Sequence, residues 1–191
     1  MILMWSALFL SFGVIFVAEL GDKSQLMAMA FAARYKAWPV LVGISIATAF
    51  THAISVAIGA ALGSQLPTRT IGVIAGIAFL IFAAWTLRGD ELDDDEQGKA
   101  ERSNRNAVIA ASVAFFLAEL GDKTMLATIT LATKEGVVGT WLGSTLGMVA
   151  ADALAIVVGQ QLGARLPEKA IRIGASVLFV VFGVILIVEA L

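Results

Sequence analysis

The sequence predicts an all-α integral membrane protein with six transmembrane helices, arranged as two inverted three-helix repeats. Three observations carry that expectation. Of the 191 residues, 59% are hydrophobic and only 15% charged, well below the roughly 25% charged fraction of soluble domains. The apolar stretches approach or exceed the ~20 residues that a helix needs to cross a ~30 Å hydrocarbon core. Finally, Glu19-Leu20-Gly21-Asp22-Lys23-Ser24 returns one hundred residues later as Glu119-Leu120-Gly121-Asp122-Lys123-Thr124, again in apolar surroundings.

Polar breaks divide the chain at Arg34 to Lys36, Pro67 to Thr70, Arg88 to Arg105, Lys134 to Gly136 and Pro167 to Lys169. The first span, 4–33, runs through the motif without a basic leader or a convincing cleavage site, so it reads as a retained helix rather than a signal peptide. The second span is 38–63 and the third 70–87. Residues 89–105 form an acidic linker: seven of the fifteen acids lie between Asp90 and Glu101. Its run Asp93-Asp94-Asp95-Glu96 reads as a solvated connection rather than a cation sensor. The fourth, fifth and sixth spans are 106–133, 137–163 and 170–190. The chain therefore divides into a first repeat (1–88), the linker (89–105) and a second repeat (106–191). The first and fourth spans are too long for upright helices, and are expected to tilt or bend near Gly21 and Gly121. Trp5, Trp38, Trp85 and Trp141 lie near predicted helix ends, as interfacial anchors do. Gly59 and Gly63, Gly159 and Gly163, and Gly139, Gly143 and Gly147 recur every four residues, giving smooth faces for close helix packing. Such faces serve contacts within a chain and between chains, so a homo-oligomer is compatible with them.

At the fixed offset of one hundred, Phe16, Ala18, Gly43, Gly59, Leu62, Gly63, Leu66, Pro67, Ile71, Phe79 and Phe82 also meet identical residues. Duplication is the economical explanation. Three helices per half, an odd number, make the second half enter the membrane from the opposite side, the arrangement from which many secondary transporters build a midplane site. Outside the motifs, Arg34, Lys36, Arg88, Lys99, Arg102, Arg105, Arg165, Lys169 and Arg172 fall on one side and Arg69 and Lys134 on the other. That bias places the linker in the cytoplasm and both termini outside it.

A Lys or Asp at a helix centre costs roughly 2.5–3.5 kcal/mol on insertion scales, so the motif charges must be compensated. On one continuous helix Glu19 and Asp22 would share a face, with Lys23 on an adjoining strip. Inverted pairing can set that face against Glu119 and Asp122. Four carboxylates around one point supply the hard, oxygen-rich environment of a divalent cation such as Mn²⁺ or Ca²⁺. The Ser24 and Thr124 hydroxyls, Gln25 and backbone carbonyls near the glycines are candidates to complete the shell, while Lys23 and Lys123 hold carboxylates in place. When the metal leaves, the crowded carboxylates repel one another and become proton carriers, the competition that antiport requires. The plainer alternative, Glu19 paired with Lys23 and Glu119 with Lys123 to hold helices together, does not explain why Gly and Asp return in the same order. At equivalent places in the second and fifth spans stand His52 and Asp152, which break the internal symmetry and are candidates for a proton relay or a secondary ligand.

The absence of cysteine excludes disulfides, thiolate metal sites and a cysteine nucleophile. No His-Glu-x-x-His pair is present and no serine stands beside a plausible base except His52, so no enzyme is expected. Gly-Asp-Lys-Ser lacks the upstream glycines of a phosphate loop and lies mid-membrane.

The two Glu-x-Gly-Asp-Lys-Ser/Thr motifs, each on the first helix of a three-helix half and separated by an acidic linker, resemble the Gdt-type cation/proton antiporter family. The resemblance covers nearly the whole chain. It implies export of Mn²⁺ or Ca²⁺ from the cytoplasm in exchange for protons, with Glu19, Asp22, Glu119 and Asp122 as ligands and Lys23, Ser24, Lys123 and Thr124 as the rest of the motif. No permanently bound cofactor and no nucleic-acid partner are expected; the metal is substrate. Short termini and tight loops point to a bacterial inner membrane. Alternatives are an exporter of a cationic organic solute, which would want a larger pocket, and a Na⁺-coupled cation transporter using the same acids. A cysteine introduced into the 89–105 linker is expected to resist a membrane-impermeant thiol reagent added outside intact cells; labelling from outside would reverse the topology.

Overall fold

The computed structural model describes residues 2–64, 67–88, 107–162 and 168–191. These residues form eight helices: α1 (Ile2–Glu19), α2 (Lys23–Arg34), α3 (Ala37–Gly63), α4 (Thr68–Arg88), α5 (Ala107–Glu119), α6 (Lys123–Lys134), α7 (Val137–Leu162) and α8 (Glu168–Ala190). The acidic linker, Arg165 and Gly163 lie outside the described residues.

Helices α3, α4, α7 and α8 coincide with four of the six expected segments, within two residues at either end. The other two are broken rather than merely bent. Gly21 and Gly121 have φ of +76° and +80°, a left-handed conformation that only glycine adopts freely. A helix entering such a residue cannot continue. The Asp22 N–H turns back onto the Glu19 carbonyl at 3.1 Å and the Asp122 N–H onto that of Glu119 at 3.2 Å, and a new helix starts one residue later. Across the first break the axis turns by 74°. Glu19 and Asp22 therefore do not share a face of one helix, as their spacing suggests: Glu19 ends α1 and Asp22 is the N-cap of α2.

Among the described residues, α3 and α7 are each long and apolar enough to cross a membrane, and α1 with α2 is so as a bent pair; α5 and Phe179–Val188 are shorter apolar helices. Polar side chains turn inward and large apolar ones also line the outside. On α3, Thr48, Thr51, His52 and Ser55 are buried, whereas Ile46, Phe50 and Ile58 are exposed. Thr51 and Ser55 turn their hydroxyls onto the Ala47 and Thr51 carbonyls at 3.0 and 2.9 Å, so buried donors are satisfied without a partner helix. Trp5 and Trp38 are exposed, as interfacial anchors are. Trp141 differs: its indole N–H donates to the Ala49 carbonyl at 2.8 Å, tying α7 to α3.

The helices pack across the halves. Helix α1 lies on α7 and α5 on α3; α2 packs on α7 and α6 on α3; α3 meets α7, and α4 meets α8. Exchanging the halves maps this list onto itself, and residues one hundred apart touch one another: Thr48 Oγ1 lies 3.5 Å from Met148 Sδ, and the Phe79 and Phe179 rings are 5.8 Å apart. Such self-matching contacts are what a twofold relation requires. Two apolar clusters follow the same rule. Phe31, Ala114, Phe115 and Ala118 belong to one, and their counterparts Leu131, Val14, Ile15 and Ala18 to the other.

Close approach depends on the spaced glycines. A Cβ at Gly43 would stand 2.6 Å from the Val108 carbonyl oxygen, and one at Gly147 2.6 Å from that of Phe12, so the backbones themselves are in contact. At Gly121 a Cβ meets nothing within 4 Å and only the positive φ opposes a side chain. Gly43→Val is therefore expected to lower the midpoint of thermal unfolding in detergent by more than Gly121→Ala, whose cost is limited to roughly 1–2 kcal/mol of backbone strain; comparing the two melts checks this.

Candidate functional site

Both breaks meet in the protein interior. Glu19, Asp22, Glu119 and Asp122 are all at most 5% exposed. One carboxylate oxygen from each of Glu19, Glu119 and Asp122 can be chosen so that all three lie within 4.8 Å of one another. Oxygens bound to one ion at 2.3–2.6 Å, the Ca²⁺ range, stand at most about 5 Å apart, so a single divalent cation fits among them. Asp22 is not in this group. Its Oδ1 accepts from Lys123 Nζ in a buried ion pair. The reciprocal pair, Lys23 with Asp122, is looser, at 3.7 Å with the lysine 19% exposed.

Local geometry explains each role. An aspartate at an N-cap ordinarily accepts a hydrogen bond from its own helix. Neither Asp22 nor Asp122 does so; each carboxylate meets the lysine of the other half. The glutamates are oriented by the last motif residue: Ser24 Oγ donates to Glu19 Oε2, and Thr124 Oγ1 to Glu119 Oε2 at 3.0 Å. These hydroxyls bridge the break, and leave the Oε1 atoms of both glutamates without a partner. Gln25, a candidate to complete the shell, also ties two backbones together. Its Oε1 accepts the Gly21 N–H and its Nε2 donates to the Ala151 carbonyl, both at 2.8 Å.

Asp152 is fully buried on α7, with neither oxygen hydrogen-bonded. It lies within electrostatic reach of Glu19 and Glu119 and beside the Ser24 hydroxyl. His52 is buried with Nδ1 unpartnered and is not a member of the three-carboxylate group. Met125 was not singled out by sequence: it replaces Gln25 in the second copy, and its Sδ receives the Gly121 N–H at 3.2 Å. The register of the repeat was the available signal.

The site thus gathers five carboxyls and two ammonium groups. At an effective dielectric of ~20, two carboxylates 4.8 Å apart repel by roughly 3–4 kcal/mol, so the surplus acids call for cations or protons. The family model of the divalent cation/proton antiporter GDT1 matches residues 7–94 and 107–191. The chain belongs to the GDT1 family. Among GDT1-related proteins, a Vibrio cholerae protein named "Putative manganese exporter" is 34% identical over 87% of this chain and 83% of its own length. A GDT1-like protein of Synechocystis is 32% identical over 90% of this chain and 92% of its own. The chloroplastic protein PAM71 of Arabidopsis thaliana is 32% identical over 94% of this chain and 56% of its own. No solved structure matches.

The two crossed pairs should differ in energy. Removing one partner of a buried pair costs about 3–5 kcal/mol, so Lys123→Met alone is expected to be strongly destabilising and Asp22→Asn with Lys123→Met together less so than the sum. A double-mutant cycle on thermal or denaturant unfolding should give a larger coupling for Lys123–Asp22 than for Lys23–Asp122.

Proposed function

We propose that this chain is a secondary transporter that exports Mn²⁺, Ca²⁺ or both from the cytoplasm in exchange for protons, by alternating access of two inverted three-helix repeats around a midplane carboxylate site. The observation that carries the reading is the buried group of Glu19, Glu119 and Asp122, drawn from both halves and compact enough for one divalent cation. The family's name supplies the ion class and the counter-ion, and the name of the Vibrio cholerae relative points to manganese.

Inversion is supported by the reciprocal packing together with the three-span count per half, and the excess of Lys and Arg on the linker side supports a cytoplasmic linker with both termini outside. The ends of α1 and α5 and the starts of α2 and α6 converge on the acids, so each break can present its carboxylates to one side and then the other as the halves rock. An empty, fully ionised cluster resists passage through the occluded state because its carboxylates repel. A bound cation removes that repulsion on one stroke and protons remove it on the other, which makes exchange obligatory. Lys23 and Lys123 cover part of the charge without ligating.

The test is metal-driven proton movement in proteoliposomes carrying an internal pH dye. External Mn²⁺ or Ca²⁺ should make the lumen alkaline with wild-type protein, and Glu19→Gln or Glu119→Gln, which leave both Lys–Asp pairs in place, should abolish the signal while eluting as folded protein. Radioactive Mn²⁺ uptake that needs a Na⁺ gradient and moves no protons would replace protons by Na⁺ as the coupling ion.

A further inference from the structure

We propose that Asp152, with Glu19 and the Ser24 hydroxyl, forms a second cation station beside the central cluster, on one half only. The inference rests on the transport reading above and adds a binding position to it.

Asp152 has no structural employment. It is 0% exposed and neither oxygen has a hydrogen-bond partner, an arrangement that costs several kcal/mol for an ionised carboxylate unless a proton or a metal cation neutralises it. Both motif lysines already face aspartates, Lys123 on Asp22 and Lys23 on Asp122. The charge that acts most on Asp152 is that of Glu19. The preceding residue, Ala151, receives the Gln25 amide at 2.8 Å; Gln25 adjoins Ser24, and Ser24 donates to Glu19. This chain of contacts fixes Asp152 on α7 against the start of α2. Glu19 uses Oε2 toward Ser24 and leaves Oε1 unpartnered, so one glutamate can serve both the central cluster and the station. Two carboxylates and a hydroxyl suit a hard divalent ion, and so incomplete a shell suits a position that an ion occupies in transit, since conduction needs sites weak enough to leave.

The station is one-sided. The position equivalent to Asp152 holds His52, whose imidazole offers a neutral nitrogen in place of two anionic oxygens. The reciprocal packing of the halves therefore sets chemically different groups at equivalent places.

The experiment measures Mn²⁺ binding to the purified full-length protein from the loss of the free-ion EPR signal, with Ca²⁺ as competitor, for wild type and monodisperse variants. Asp152→Asn is expected to weaken Mn²⁺ binding roughly tenfold or more, the scale of losing a carboxylate from a metal site. Asp152→Glu, which keeps the charge, should stay much closer to wild type. Asp152→His should shift the Mn²⁺/Ca²⁺ preference toward Mn²⁺, because imidazole is a poor ligand for Ca²⁺; a remote field effect would move both ions alike. Unchanged affinity in Asp152→Asn, or equal weakening of both ions in all three variants, overturns the station. Binding that is lost in Glu119→Gln but indifferent to Asp152 overturns the station and leaves the transport reading standing; a wild type that binds neither ion overturns both.

Discussion

The crossed ion pairs between the two copies of the motif are the constraint from which the rest follows. Lys123 meets Asp22 and Lys23 meets Asp122, so neither half can bury its own charges alone. Taking an ammonium and a carboxylate out of water costs several kcal/mol per ion, recovered only when the geometry is good. Here the recovery needs both halves, docked with the two breaks opposed. A chain of two separate bundles would leave these four charges without their partners.

That docking sets the packing. To bring the breaks together, the broken pair of each half must lie on the long helix of the other, α1 and α2 on α7 and α5 and α6 on α3. Apolar solvent offers no hydrophobic drive between helices, so contact area and small residues do the work instead. Gly43 and Gly147 let backbones touch, and Ser112 donates to the Gly43 carbonyl at 3.1 Å across the same seam. The outward faces are left to Phe50, Ile58 and Leu146, which suit lipid.

The breaks themselves make the site usable. Helix ends bring polar backbone to the place where the carboxylates collect, and the acids flanking each break are enclosed by protein. In the GDT1 family the cargo is a divalent cation exchanged for protons. The arrangement is near-symmetric at its centre and unequal around it: the Lys–Asp pairs differ in tightness, Gln25 answers to Met125, and His52 to Asp152.

Much of this was legible in the chain. Apolar length and composition determined a membrane protein, the offset of one hundred determined two related halves, and the glycines at 21 and 121 marked where the long spans fail. Repetition of Glu, Asp and Lys in apolar surroundings marked the site, because uncompensated charge there has no bland explanation. Other features could not be read. Spacing along one helix put Glu19 and Asp22 on a common face, but a positive φ at Gly21 separates them. Spacing assigned the lysines no particular aspartate, whereas the structure pairs them across the halves. Asp22 meets Lys123 of the other half, and Gln25 spans from Gly21 to Ala151. The physical reason is the same throughout. Hydrophobicity and local periodicity are properties of a segment, so sequence alone determined which groups must be compensated; which partner compensates each of them depends on distances between segments, and only the tertiary structure decided those.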